Sequence, residues 1–258
     1  MIVITGATGA LNGAVVEHLL KLVPAEQIGI SVRDPARAQH FADRGVRVRR
    51  GSYDDPAALL HSFEGAEQVL LVSSSDPVAD QNALHRTAIE SAAAAGAGRI
   101  LYTSHQNASP TSAFPAAPFH AAAEAMLAGT GVAWTSLRNG FYAHSLLWML
   151  GPWQQTGVIT APAEGPVSWT DRDDEAEAAA LILAGRHTFD GPVTLTAASA
   201  VTFDDIAAMA AELGGRTVTR TVQDDQQWVA DQKAQGTPEH YAQFLLGFFR
   251  AASSLIAD

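Results

Sequence analysis

Residues 2–4, Ile-Val-Ile, form a short β-branched run that Gly6 ends, which predicts a brief buried strand. From residue 14 to residue 20 the apolar spacing becomes helical, with Val15, Val16, Leu19 and Leu20 on one face. The alternation then repeats. Apolar runs at 28–32, 46–49, 68–72, 99–103 and 132–137 predict five more strands, and helices are expected over 35–43, from 56, over 80–95 and over 119–128. Asp34-Pro35 and Asp55-Pro56 each pair an N-cap aspartate with proline at the first helical position. Strands alternating with helices imply parallel pairing and right-handed crossovers, hence a Rossmann-like, doubly wound α/β sheet.

Beyond residue 142 the rhythm loosens. The pattern predicts a helix near 143–150, a break at Gly151-Pro152 and a helix capped by Asp173 or Asp174 and running to Leu183. A strand at 193–196, a helix at 203–213 after Thr202, a last strand at 216–222 and helical segments over 224–256 follow. The chain therefore divides into a sheet domain, 1–142, and a smaller α/β cap, 143–258. Aromatic residues between Trp228 and Phe249 suit a cap that covers the strand ends on the substrate side.

Composition narrows the class. The 258 residues suffice for a substantial core, and 47% hydrophobic with 17% charged residues fit a compact α/β protein. A formal charge of −11 argues against nucleic acid or an anionic membrane as partner. The chain has no cysteine, so thiol chemistry is excluded and a reducing cytoplasm suits it. A strand starting at residue 2 leaves no secretory leader, and no apolar run is long enough to span a bilayer. The nine histidines lack metal-ligand spacing, so no metal site is expected.

The turn between the first strand and helix carries the main chemical signal. Gly6 and Gly9 let the backbone turn tightly, and the helix start aims free N–H groups and a partial positive charge outward. Glycines also serve ordinary β–α turns, but a position at the front of a β-α-β pattern favours a mould for pyrophosphate, formed by Gly6, Thr8, Gly9, Ala10, Leu11 and Asn12. Asn12 stands where a third glycine is usual, and Gly13 follows it. Asn12 either pushes the helix outward or turns its amide toward the phosphates.

Arg33 ends the second strand, where an NAD site carries an acidic residue for the ribose hydroxyl. An arginine there suits a 2′-phosphate and favours NADP, the alternative being a surface pair with Asp34. Ser73, Ser74, Ser75 and Thr103 lie at strand ends on the carboxyl edge, with room for a nicotinamide riboside, although serines also simply close strands. His120 opens a helix after a long loop, and Glu124 lies one turn later. The two make either a substrate-orienting pair, with Glu124 fixing the ring, or a helix-surface hydrogen bond. Asn139 and Tyr142 are candidate contacts to nicotinamide or substrate, whereas Arg138 reads as structural.

One absence is informative. Tyr53, Tyr102, Tyr142 and Tyr241 are followed four positions later by Ala57, Gln106, Leu146 and Leu245, and the lysines are Lys21 and Lys233. The tyrosine–lysine proton relay of ketone-reducing short-chain dehydrogenases is missing, which disfavours substrates that need strong general-acid help.

These residues together resemble the NmrA-like branch of atypical short-chain dehydrogenases, and within it the type 2 NAD(P)H:quinone oxidoreductases and triphenylmethane reductases. The resemblance rests on Val3 to Thr5 with Gly6 to Leu11, Val32-Arg33-Asp34-Pro35 with Ala38, Tyr102-Thr103-Ser104, His120 with Glu124, and Leu137 to Tyr142. It implies NADPH as cofactor and hydride transfer to a small aromatic or conjugated electron-poor acceptor, with a non-catalytic NADP-binding redox sensor as the alternative. It also implies phosphate contacts from Thr8 to Leu11, a 2′-phosphate contact from Arg33, and nicotinamide contacts near Ser73, Ser74 and Tyr142. The acceptor is expected to stack under Phe141, Tyr142 and cap aromatics such as Trp148; a homodimer is compatible. Against the family pattern, Ser52 replaces an acidic residue and the C-terminus lacks its usual final helical region.

Overall fold

The computed structural model describes residues 1–74, 79–162 and 165–254. Its strands are β1 (Ile2–Thr5), β2 (Ile28–Val32), β3 (Arg47–Arg50), β4 (Gln68–Leu71), β5 (Arg99–His105), β6 (Ala133–Asn139), β7 (Phe141–Tyr142), β8 (Val158–Ala161), β9 (Trp169–Thr170), β10 (Gly191–Leu195) and β11 (Thr219–Val222). Its α-helices are α1 (Ala10–Leu19), α2 (Gln39–Ala42), α3 (Pro56–Phe63), α4 (Gln81–Ala94), α5 (Ala117–Gly129), α6 (Leu146–Met149), α7 (Trp153–Thr156), α8 (Arg172–Leu183), α9 (Phe203–Gly214), α10 (Asp225–Ala234) and α11 (Glu239–Ser254). The helix expected over 35–43 is split into a 3₁₀ turn, Pro35–Ala38, and α2.

The chain forms two compact units, one of residues 1–108, 119–139 and 172–195, the other of 109–118, 140–171 and 196–258. In the first, seven strands run in the order β10-β6-β5-β4-β1-β2-β3. Every neighbouring pair is parallel. A parallel sheet must be covered on both faces, and the period of two along each strand does this. Ile2, Ile4, Leu70 and Leu101 face Val15, Val16 and Leu19 of α1 and the alanines of α8. Val3, Val69, Leu71, Ile100 and Tyr102 face the opposite way, with Leu59 and Phe63 of α3, Ile89 of α4 and Leu127 of α5. Each fully buried aliphatic side chain here stabilises the fold by about 1.5–3 kcal/mol. The strand order reverses between β1 and β4, so the crevice outside their carboxyl ends is the place where such sheets hold ligands.

The boundary differs from the expected residue 142. The sheet unit ends at Asn139 and recovers Arg172–Leu195 from the region expected to be cap. The reason is packing. Ala176, Ala179 and Ala180 of α8 let it lie against the valine face of α1, and β10 pairs with β6 from Gly191↔Thr135 to Leu195↔Asn139. Asp173 and Asp174 fall in the first turn of α8, which starts at Arg172, and the former meets His18 Nε2 at 3.0 Å.

The second unit has an aromatic core. Phe114, Phe141, Trp169, Phe203, Trp228, Phe248 and Phe249 meet mostly edge to face or tilted. Two short parallel ladders, β11–β8 and β7–β9, accompany it. Within the helical region expected over 224–256, α11 runs for 16 residues. Its Gly247 is forced by closeness, since a Cβ there would lie 2.5 Å from Pro115 Cδ. Among the described residues no helix is long and apolar enough to cross a membrane.

Candidate functional site

β1 ends in a glycine turn that no other residue fits. Gly6 has φ +66°, and a Cβ on it would lie 2.6 Å from Val72 Cγ1. Gly9 donates its N–H to the Gly6 carbonyl at 2.9 Å, and its own Cβ would crowd that oxygen at 3.2 Å. Gly9 is also the N-cap of α1, and no side chain caps this helix. The N–H groups of Ala10, Leu11 and Asn12 open the helix without an intrahelical partner. Gly9 and Ala10 are exposed, and Thr8 and Leu11 half-buried.

Asn12 does not turn its amide toward the phosphate turn. Its side chain is buried, and Nδ2 donates to the Thr5 carbonyl at 2.8 Å. It ties α1 to the end of β1 and leaves only its backbone N–H to the turn. The glycine that allows close packing is Gly13, where a Cβ would lie 3.0 Å from the Ala7 carbonyl.

Arg33 is exposed just past β2. Asp34 does not pair with it; its carboxylate accepts the Ala36 N–H at 3.1 Å as a cap. The register Val32↔Arg50 sets a second arginine, not anticipated from sequence, at the adjacent strand end. Asp54 is held below the usual carboxylate range, first by a Ser52 hydrogen bond and further by the fields of Arg50 and Arg33.

The exit of β4 is laced down. Val72 N–H donates to Thr5 Oγ1 and Ser73 N–H to Thr103 Oγ1, at 2.8 and 2.9 Å. Tyr53 donates its phenol to the Val72 carbonyl at 2.8 Å, and burial raises its pKa far enough to keep it protonated. Ser74 N–H donates to His85 Nε2 at 2.8 Å. Thr103 thus orients Ser73, and His85 holds Ser74 although sequence reasoning missed it. Ser75 lies outside the described residues.

Glu124 does not fix His120. Its carboxylate accepts from Ser104 Oγ (2.8 Å), Ser136 Oγ (2.7 Å) and Arg138 Nε and Nη2 (2.9 and 2.6 Å). Although burial opposes ionisation, these donors hold its pKa below the usual range. Arg138 is structural, as expected. His120 Nδ1 instead lies 3.0 Å from the Tyr102 hydroxyl. Burial lowers the pKa of His120 to about 3 and those of His85 and His105 to about 4, so all three are neutral at pH 7. No metal-binding cluster of His, Asp or Glu occurs among the described residues.

Asn139 ends β6, buried, with its carbonyl accepting the Gln106 N–H at 2.8 Å. Its side-chain Oδ1 has no hydrogen-bond partner among the described residues. The first unit therefore gathers the glycine turn, Arg33, Ser73, Ser74, Thr103, His120 and Asn139. Tyr142 belongs to the second unit, stacked on His144 with centroids 5.5 Å apart. Phe141, expected to line a slot, is taken into that unit's core, its ring edge-on to Phe248 at 4.2 Å. Trp148 remains partly exposed beside Tyr241.

The carboxyl edge fits a dinucleotide: a turn that any Cβ would fill, an uncapped helix start and an unpartnered buried acceptor. Known proteins point the same way. Quinone oxidoreductase 2 of Escherichia coli is 39% identical over 246 residues, which cover 95% of this chain and 85% of that one. Its NADPH complex superposes with a TM-score of 0.92 over 98% of this chain and 89% of the other. Triphenylmethane reductase of Citrobacter sp., solved with NADP(H), is 31% identical with a TM-score of 0.88, over 98% of this chain and 90% of that one. An NAD(P)H azoreductase of Xenophilus azovorans is 29% identical over 222 residues, 84% of this chain and 75% of its own length. The profile of the NmrA-like family matches residues 1–253, and the chain belongs to that family.

Proposed function

We propose that this protein is an NADPH-dependent oxidoreductase whose acceptor is a quinone, a dye or another conjugated electron-poor molecule. One observation carries the reading: the uncapped start of α1, entered through Gly6, whose place no larger residue can take, on the sheet edge that also carries Arg33. The backbone N–H groups from Thr8 to Asn12 would hold the diphosphate. Arg33 would bind the 2′-phosphate through charge-assisted hydrogen bonds. Ser73, Ser74 and Asn139 are the candidates to border the nicotinamide. When bound, NADPH supplies a hydride.

The remaining chemistry is modest. His120 is neutral at pH 7, and no tyrosine–lysine relay is present. A conjugated acceptor delocalises the electron pair it receives, and its proton can come from water. Relatives named for quinone, azo and triphenylmethane substrates support this class of acceptor. The cysteine-free, acidic chain suits the cytoplasm.

The test is to follow NADPH absorbance with purified protein and a panel of quinones, azo dyes and triphenylmethane dyes. Oxidation with at least one class is expected. Tight NADPH binding without turnover on any of them overturns the enzyme reading in favour of a redox sensor.

A further inference from the structure

Tyr102 packs in the core of the sheet unit. It is 1% exposed on β5, and its hydroxyl meets His120 Nδ1 at 3.0 Å. A buried phenol has one proton to place, and leaving it without an acceptor costs about 1–3 kcal/mol. His120 Nδ1 is the acceptor available to it among the described residues. The reverse arrangement, with Nδ1–H donating to the phenol oxygen, would strand the O–H inside the sheet unit.

We infer that Tyr102 is a positioning residue: it donates to His120 Nδ1, confines the imidazole to the tautomer protonated on Nε2, and makes His120 a neutral hydrogen-bond donor to a carbonyl oxygen of the acceptor. This rests on the reductase reading and adds a named group to it.

The surroundings agree. The ring of His85, from α4, lies edge-on to Tyr102 at 5.5 Å, and that of His105, from β5, stacks on His120 at 6.1 Å. Both are neutral, so neither supplies a charge that would reorganise the pair. Glu124, one turn along α5, is engaged by Ser104, Ser136 and Arg138. Burial raises the pKa of Tyr102 and lowers that of His120, which keeps the phenol protonated and the ring uncharged. His120 is half-buried, and no described residue takes its Nε2.

The step balances without a protein acid. Hydride adds to a quinone, one carbonyl oxygen becomes anionic, Nε2–H hydrogen-bonds that oxygen, and water delivers the proton afterwards. His120 keeps its own proton throughout. A donor placed where charge develops is worth about 10²–10³ in rate.

Three measurements test this. In long-range ¹H–¹⁵N spectra of the wild-type protein, His120 should show a protonated Nε2 and a bare Nδ1, and the Tyr102→Phe variant should mix the two tautomers. Tyr102→Phe should lower kcat with quinones about tenfold and His120→Phe about a hundredfold, with KM for NADPH unchanged. Reduction of a cationic triphenylmethane dye, which offers no carbonyl, should lose clearly less rate than that of the quinone in both variants. A protonated Nδ1 in the wild type, or equal losses on quinone and dye, overturns the inference. If no acceptor is reduced at all, the reductase reading fails, while the tautomer is still decided by the spectra.

Discussion

Two helices in the sheet unit begin under the same circumstances and end up differently equipped. Both α1 and α3 follow a parallel strand. At α3, Asp55 accepts the Ala58 N–H at 3.0 Å with Pro56 behind it. The next helix repeats the device, with Asp80 accepting from Ala83 at 3.0 Å, and in the second unit Thr202 and Asp205 cap α9 reciprocally. Only glycine stands at the same place on α1. Side-chain caps close α3, α4, α9 and α10, whereas the four-residue helices α2, α6 and α7 lack them. The ten-residue α1 shares that bare start and keeps its first N–H donors open. A helix start left bare beside a strand-order reversal says more about ligands than any glycine spacing does.

The strongest way to break the contrast is to give α1 the cap it lacks. Gly9→Asp sets a carboxylate where a diphosphate is expected, and should weaken both NADPH and NADH about a thousandfold, roughly 4 kcal/mol, by calorimetry. Retained affinity would remove the turn from the cofactor site. Arg33→Asp should then separate the two cofactors. We expect about a hundredfold weaker NADPH, roughly 2.7 kcal/mol, with NADH changed by less than about threefold.

Proton linkage probes the same sheet edge. His85, His105 and His120 have folded pKa values of about 4, 4 and 3, below the ordinary 6.5. Between those limits the unfolded chain binds more protons, so stability is whole above pH 6.5 and falls as the pH drops toward 4. Each histidine adds up to about 1.4 kcal/mol per pH unit to that slope. Urea titrations at stepped pH measure it, and a flat profile from 6.5 to 4.5 refutes the buried neutral cluster. The smallest effect belongs to the capped helix: Asp55→Ala should cost about 1 kcal/mol in the same titration and leave NADPH affinity untouched.

The sheet was legible because its physics is local and periodic. β1, β4 and β5 are apolar runs ended by glycine or hydroxyl residues, β2 is one ended by Arg33, and the aspartates before α3 and α4 mark those helix starts. β7 and β9 were not legible, since two residues hold no period. The strand expected at 193–196 was found, but not its place, because pairing with β6 is decided by packing far along the chain. At the site, Gly6 and Arg33 announced themselves through position. Tyr102 and His85 were missed because each sits on an apolar face and reads as filler. The available signal was a polar-tipped residue in a core register: His85 shares its helix face with Ala88, Ile89 and Ala92. The assignment of Glu124 to His120 failed because helical spacing ranks a residue four away above Ser104, Ser136 and Arg138, which the sheet brings closer.

The late return of Arg172–Leu195 to the first unit bears on how such a chain can be divided. A fragment stopped at residue 142 would keep every phosphate-facing group but lose the alanine-lined cover over Val15, Val16 and Leu19, together with the outermost strand. Recombination at that point would leave a greasy scar. The dinucleotide-holding module is thus not a detachable cassette, and new specificities must arise by remodelling the intervening loops in place.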